Sequence, residues 1–189
     1  MKKIFKIILI VFAILIIVVV AFGAIFFLDL AAYTATGKQT LTPTGTSIGK
    51  AIVIYDPGLS GTAKSVAEKV ASDLQTRGYL VTLAGVKSSA ANNIDGYNVI
   101  VIGGPVYAGA LTSSIKDALG NMVISHGNGV KVGIFGSGQG ATSADDIAQI
   151  RQSIPSRSDD SILEAVVVKI GSSEDLNTRA QDFVNQLLS

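Results

Sequence analysis

Alternating strand-like and helix-like segments constrain this fold more than any other feature of the sequence. The β-branched run at residues 51–55 is typical of a strand buried on both faces. Further apolar runs predict strands at 79–86, 98–102, 131–135 and 164–170, and amphipathic stripes predict helices at 62–77, 111–119, 143–154 and 173–188. The crossover at 87–97 is too short for more than a distorted turn or two of helix. This alternation predicts parallel strands, right-handed crossovers and helices on both faces of one sheet.

Three polar, glycine-rich loops directly follow three of these strands. They span residues 56–62, 103–109 and 136–141. In open α/β sheets, ligands bind in the crevice beyond the carboxyl ends of the strands. We therefore expect the three loops to converge on one ligand.

Composition excludes several classes of function. The chain has no cysteine, so disulfides, thiolate metal sites and cysteine nucleophiles are ruled out. Residues 47–189 hold 11 basic and 13 acidic side chains, a formal charge of −2 without a basic stripe, which argues against nucleic acid as a partner. The two acidic pairs, Asp145–Asp146 and Asp159–Asp160, are typical of a helix's first turn and of a solvated loop. We assign no metal site and no catalytic residue.

The N-terminal part of the chain predicts a membrane anchor. Residues 7–28 are uncharged, and a helix of that length spans the ~30 Å hydrocarbon core of a bilayer. A cleaved secretory signal would usually have a shorter apolar region, about 7 to 15 residues, with a small-residue cleavage site behind it. Lys2, Lys3 and Lys6 precede the span and only Lys38 follows closely, which predicts residues 1–6 in the cytoplasm and the domain outside it.

A threonine-rich segment separates this predicted span from the alternating region. Residues 29–48 are small and polar, with no helical stripe or sustained strand alternation, and we interpret them as a tether. Packing of part of this segment on the domain stays open as an alternative. The domain itself is predicted to comprise residues 49–189.

The first loop has the chemistry of an anion site. Gly58 and Gly61 let backbone N–H groups curl around an anion, and the helix starting at Thr62 adds the positive end of its dipole. Ser60 and Thr62 can donate hydroxyl groups, although either could merely cap the helix. Residues 58–65 also differ at only Ala63 from a Walker A nucleotide loop, but the strands ending at 102, 135 and 170 lack the acid that such a site needs for Mg²⁺.

The three loops together resemble those of the flavodoxin family. Residues 60–67 (SGTAKSVA) are similar to the family's phosphate loop, 102–109 (IGGPVYAG) to its ring-binding loop, and 135–139 (FGSGQ) to its third loop. The resemblance covers essentially residues 49–189. It implies a doubly wound, five-stranded parallel sheet of order 2-1-3-4-5 with helices on both faces, preceded here by the transmembrane helix.

This resemblance implies FMN as the cofactor. The implied binding residues are Gly58, Leu59, Ser60, Gly61, Thr62, Pro105, Val106, Tyr107, Ala108, Gly109, Gly136, Ser137, Gly138 and Gln139. Tyr107 would stack on the isoalloxazine ring, and backbone groups from Tyr107 to Gly109 would contact its edge. Ala63 and Gln139 depart from the family pattern, and 139–143 lacks a second aromatic residue, so we expect weaker binding.

The sequence thus predicts a membrane-anchored, flavodoxin-like electron carrier that uses FMN. Its partner would be an unknown redox protein or a quinone. Two alternatives remain at this point: a cofactor-free interaction module, and a flavin-dependent quinone reductase.

Overall fold

A computed structural model describes residues 12–20, 35–124 and 129–189. The chain divides into two compact units, Met1–Tyr33 and Thr34–Ser189. Residues 12–20 of the first unit form a helix, and most of the predicted 7–28 span, together with 1–6 and 29–34, lies outside the described residues. Among the helices that are described, none is both long enough and apolar enough to cross a membrane.

The second unit is built on one twisted sheet. Its strands are β1 (Lys38–Leu41), β2 (Gly49–Tyr55), β3 (Tyr79–Gly85), β4 (Val99–Tyr107), β5 (Ala110–Leu111), β6 (Lys131–Gly138) and β7 (Val166–Gly171). The order is β1-β3-β2-β4-β6-β7, with β5 paired to β4. The five strands β3-β2-β4-β6-β7 run parallel, in the predicted order 2-1-3-4-5.

The sheet nevertheless differs from the prediction of five parallel strands, because it is mixed. β1 pairs antiparallel with β3, and β5 pairs antiparallel with the end of β4. β1 carries little apolar side-chain surface, so backbone hydrogen bonds hold it rather than burial. Two such bonds continue the pairing beyond the strand, from Gly85 N to Gly37 O and from Lys87 N to Ala35 O. Residues 35–37 therefore lie at the carboxyl end of β3.

Helices cover both faces of the sheet, as predicted. They are α1 (Thr62–Thr76), α2 (Ser113–Asn121), α3 (Ala144–Ser153), α4 (Asp160–Leu163) and α5 (Leu176–Leu188). α1 and α5 share one apolar core, in which Val66 and Phe183 are buried. α2, α3 and α4 share the other, through Ile115, Ile150 and Ile162. The short crossover between β3 and β4 holds a single 3-10 helix, Ser89–Asn92.

Candidate functional site

The first loop leaves the carboxyl end of β2 in a conformation that requires glycine. Gly58 and Gly61 have φ angles of 61° and 71°, in the left-handed region that other residues rarely adopt. A methyl group on Gly58 would lie 2.7 Å from Pro105 Cγ, so the first loop touches the end of β4. A methyl group on Gly61 would meet nothing within 4 Å. Leu59 and Ser60 lie exposed between the two glycines.

The N-terminus of α1 opens toward this loop without a capping side chain. Gly61 is the N-cap residue, and the first turn contains no acidic side chain. Ser60 Oγ donates to Thr62 Oγ1 at 3.0 Å and accepts weakly from Thr62 N at 3.4 Å. Two hydroxyl groups and the positive end of the helix dipole therefore meet at one exposed point. Lys64 instead pairs with Glu68 at 3.4 Å on the exposed helix face.

Asp56 joins the first loop to the segment that follows the second. Its Oδ1 accepts from Gly58 N at 3.0 Å, and its Oδ2 accepts from Thr112 Oγ1 at 3.0 Å and from Ser114 Oγ. Its own N–H donates to Gly103 O at 3.0 Å. A carboxylate accepting three hydrogen bonds fixes the two loops against each other. No role was assigned to Asp56 from the sequence; its position one residue after a buried strand was the available signal.

The second loop is a tight β-hairpin. β4 continues to Tyr107, turns through Ala108 and Gly109, and returns as β5. Both turn residues have positive φ, 49° and 81°, which is the requirement of a type I′ turn. The predicted loop thus begins as strand, with Pro105 buried and Val106 half-buried. Tyr107 is 52% exposed at the start of the turn.

The third loop leaves β6 beside this hairpin. Gly136, Ser137 and Gly138 still belong to the strand, whereas Gln139 is exposed. A methyl group on Gly136 would collide with Val106 Cγ2, and one on Gly138 would lie 3.8 Å from Val106 O. The absence of a side chain at Gly136 therefore allows this part of β6 to approach Val106 closely, whereas a methyl group at Gly138 would make an ordinary contact.

The distal part of the third loop is fixed by β7 and the turn after it. Ser172 N donates to Gly138 O at 2.8 Å. Thr142 Oγ1 lies 2.7 Å from both Lys169 O and Glu174 Oε2. Burial alone would raise the pKa of Glu174, but hydrogen bonds from Thr142 and Gly171 N–H and the charge of Arg179 together hold that pKa below its usual value. Glu174 is therefore an ionised anchor for the loop at neutral pH.

An ion pair with a buried lysine lies beside this loop, and sequence reasoning missed it. Lys169 Nζ lies 3.0 Å from Asp146 Oδ2, and the Lys169 side chain is only 8% exposed. Hydrogen bonds from Lys169 and from Ser143 lower the pKa of the Asp146 carboxyl. Ser143 and Asp146 also form a capping box at the start of α3. The available signal was a lysine within the otherwise apolar strand 166–171.

All fourteen predicted binding residues lie at the carboxyl edge of the parallel strands or in the loops that leave it. Gly58 of the first loop lies against Pro105 of β4, and Val106 of β4 lies against Gly136 of the adjacent strand β6, so the three predicted loops meet at the strand residues with which the second and third begin. A cavity of about 710 Å³ lies elsewhere, between the 3-10 helix and α2, lined in part by Asn92. Among the described residues, no cluster of side chains is suited to hold a metal ion.

Known structures share this fold at low sequence identity. The chain is 19% identical to oxidised flavodoxin 2 from Bacillus cereus, with a TM-score of 0.52 over 74% of this chain and 97% of that one. A flavodoxin from Streptococcus pneumoniae gives 19% identity and a TM-score of 0.51, with the same coverage. An NADH:FMN oxidoreductase, EmoB, in its apo form gives 12% identity and a TM-score of 0.56 over 74% of this chain and 88% of that one.

Sequence comparison adds nothing to these structural matches. No protein-family model and no curated protein sequence matches the chain. At identities below 20%, these structural neighbours show only that the fold is shared. The unit Thr34–Ser189 therefore has the flavodoxin-like fold, with a mixed sheet and helices on both sides.

Proposed function

We propose that this chain is a membrane-anchored flavodoxin-like protein that binds FMN at its three loops and transfers electrons. The observation that carries the proposal is the contact of the three loops at one edge of the sheet, beside a helix N-terminus without a capping side chain. Flavodoxin-like sheets bind their ligand at that edge.

The first loop would hold the phosphate group. Ser60 and Thr62 present hydroxyl groups, and the first turn of α1 presents backbone N–H groups with no acidic residue to compete. Backbone amides and a helix dipole bind anions without a lysine or arginine. Lys64 points along the helix to Glu68, which favours this site over a Walker-type nucleotide site.

The second and third loops would hold the flavin ring. The exposed Tyr107 offers an aromatic face, and the type I′ turn fixes its position. Gly138 and the exposed Gln139 present the backbone of the third loop opposite Val106. When bound, FMN supplies reversible one- and two-electron transfer, so we expect an electron carrier for a redox protein or a quinone rather than a substrate-specific enzyme.

Three single substitutions test this assignment. Ser60→Ala and Thr62→Ala should each weaken FMN binding by about 1 to 3 kcal/mol, because each removes a hydrogen bond to a charged phosphate. Lys64→Ala is the matched control on the same helix turn and should leave FMN affinity unchanged. Loss of binding in Lys64→Ala, with Ser60→Ala and Thr62→Ala unaffected, would overturn the phosphate site and favour the nucleotide alternative.

The anchor and its orientation form the second part of the proposal. Its support is the uncharged run at residues 7–28, long enough for a bilayer, with three lysines before it. We propose that the domain lies outside the cytoplasm. Protease added to intact cells should then digest it, while digestion only after lysis would reverse the orientation.

A further inference from the structure

Lys169 is a buried cation beside the third loop. It lies on β7 opposite Gly136 of β6, and its side chain is 8% exposed. Its Cε atom would lie 3.4 Å from a methyl group placed on Gly138. The stem of Lys169 therefore runs against the backbone of the third loop.

Asp146 is the one acceptor that the described part of the chain provides for this ammonium. The Lys169 Nζ to Asp146 Oδ2 distance is 3.0 Å. Asp146 also accepts from Ser143, at 2.9 Å from its N–H and at 2.8 Å from its hydroxyl. An ammonium has three donors, so Lys169 keeps donors unused by the described residues while Asp146 is shared. The pair therefore has no net charge, and Lys169 is its member in contact with the backbone of the third loop.

The Lys169 side chain is buried, whereas that of Asp146 is 28% exposed. Burying an ammonium costs several kcal/mol, and a well-packed apolar side chain of similar volume is often as stable or more so. Two neighbouring residues of β7 are apolar and buried. Val167 lies on the same face as Lys169, and Ile170 lies on the opposite face. Apolar packing therefore does not explain the lysine at position 169, whose side chain contacts Asp146 at the start of α3 and the backbone of the third loop.

We propose that Lys169 stabilises the reduced form of a flavin held by the three loops, and that Asp146 moderates this effect. The inference rests on the proposed function. Two-electron reduction of FMN with uptake of one proton leaves one extra negative charge on the ring, and the electrons come from a redox partner. A cation close to the ring favours that charged product by Coulomb attraction.

The test compares the affinities of the full-length protein for oxidised and reduced FMN. Lys169→Met keeps the unbranched stem and removes the charge, so it should lower the preference for reduced FMN about tenfold, equivalent to ~30 mV in a two-electron midpoint potential. Asp146→Asn removes the negative charge that pairs with Lys169, so it should raise the two-electron midpoint potential. Lys169→Arg should restore most of the wild-type potential.

Lys131→Met is the matched control. Lys131 is half-buried, lies at the amino end of β6 and donates to Leu188 O at 2.7 Å. This variant should leave the potential unchanged. The inference is overturned by an unchanged potential in Lys169→Met, by an equal shift in Lys131→Met, or by shifts of the same sign in Lys169→Met and Asp146→Asn. If Lys169→Met does not fold, Asp146→Asn still decides the sign, because it should raise the midpoint potential, and an unchanged or lowered potential in that variant overturns the inference. Failure of the wild-type protein to bind FMN would instead overturn the proposed function.

Discussion

Contact between the first and second loops predicts unequal effects of two chemically identical substitutions. Gly58→Ala and Gly61→Ala each place a methyl group at a positive φ, 61° and 71°, which costs about 1 to 2 kcal/mol. Lower entropy of the unfolded chain offsets about 0.4 to 1 kcal/mol of that in both cases. The backbone contribution to the change in the free energy of unfolding is therefore nearly the same in the two variants, and it cancels when their stabilities are compared.

The surroundings of the two methyl groups make the difference. At position 58 the new carbon would lie 2.7 Å from Pro105 Cγ and 3.1 Å from Pro105 Cβ, in a ring that cannot rotate away. Such overpacking costs about 1 to 3 kcal/mol. At position 61 it would meet open space. We therefore expect Gly58→Ala to lower the free energy of unfolding by roughly 1 to 4.6 kcal/mol, and by about 1 to 3 kcal/mol more than Gly61→Ala, which should lower it by no more than about 1.6 kcal/mol.

Urea unfolding of residues 34–189, followed by far-UV circular dichroism without FMN, measures both values. The double variant Gly58→Ala/Pro105→Ala supplies the coupling energy, because it removes Pro105 Cγ and should recover part of the loss specific to Gly58→Ala. Equal destabilisation by the two single variants, or no recovery in the double variant, would refute the contact between the loops.

Three further predictions follow from the described geometry. Ala108→Gly should raise the free energy of unfolding by up to about 1 kcal/mol in urea, since glycine relieves the positive φ of 49° but adds unfolded-state entropy; a loss of stability would contradict the type I′ turn. A chain starting at residue 47 lacks β1 and its four cross-strand pairs, so it should be roughly 1 to 3 kcal/mol less stable than one starting at residue 34, and equal urea midpoints would show that β1 contributes nothing. The pKa of Glu174 is lower in the folded protein than in the unfolded chain, where it is ~4.3. The ionised carboxylate therefore stabilises the fold above the unfolded-state pKa, and this stabilisation is lost as the pH falls through the folded-state pKa. Glu174→Gln should therefore weaken the fold at pH 7 and flatten the decline of the thermal midpoint below about pH 4, and an unchanged pH profile would exclude Glu174 as the anchor of the third loop.

Burial on both faces made the parallel strands predictable. β2 and the stripe of α1 were identified because continuous β-branched residues and a 3.6-residue period both report directly on packing. β1 was missed for the opposite reason. Its sequence, KQTL, has a single apolar residue, and its pairing with β3 uses backbone groups that leave no trace in side-chain pattern.

The glycine-rich segments located the candidate site but placed the ends of two strands too early. Gly103 and Gly136 were interpreted as loop residues, yet both lie within strands. They are glycines because a side chain would collide with Phe135 in one case and with Val106 in the other. Only the folded arrangement distinguishes such a close approach from a flexible turn.

The polar connections of the site depend on contacts between distant residues. Asp56 and Ser114 are 58 positions apart, and Lys169 and Asp146 are 23 apart. Neither pair has a sequence signature, since each side chain by itself is ordinary. The sequence therefore predicted which loops meet, while the groups that fix those loops became visible only in three dimensions.

Binding of FMN compared with riboflavin tests the central claim most directly. Riboflavin has the same ring but no phosphate, so it keeps the contacts of the second and third loops and loses those of the first. Titration of the purified full-length protein, followed by quenching of flavin fluorescence, should show one FMN per chain, with riboflavin binding at least about tenfold more weakly because a charge-assisted hydrogen bond contributes roughly 1.5 to 3 kcal/mol. Failure to bind FMN, or equal affinity for the two flavins, would contradict the account.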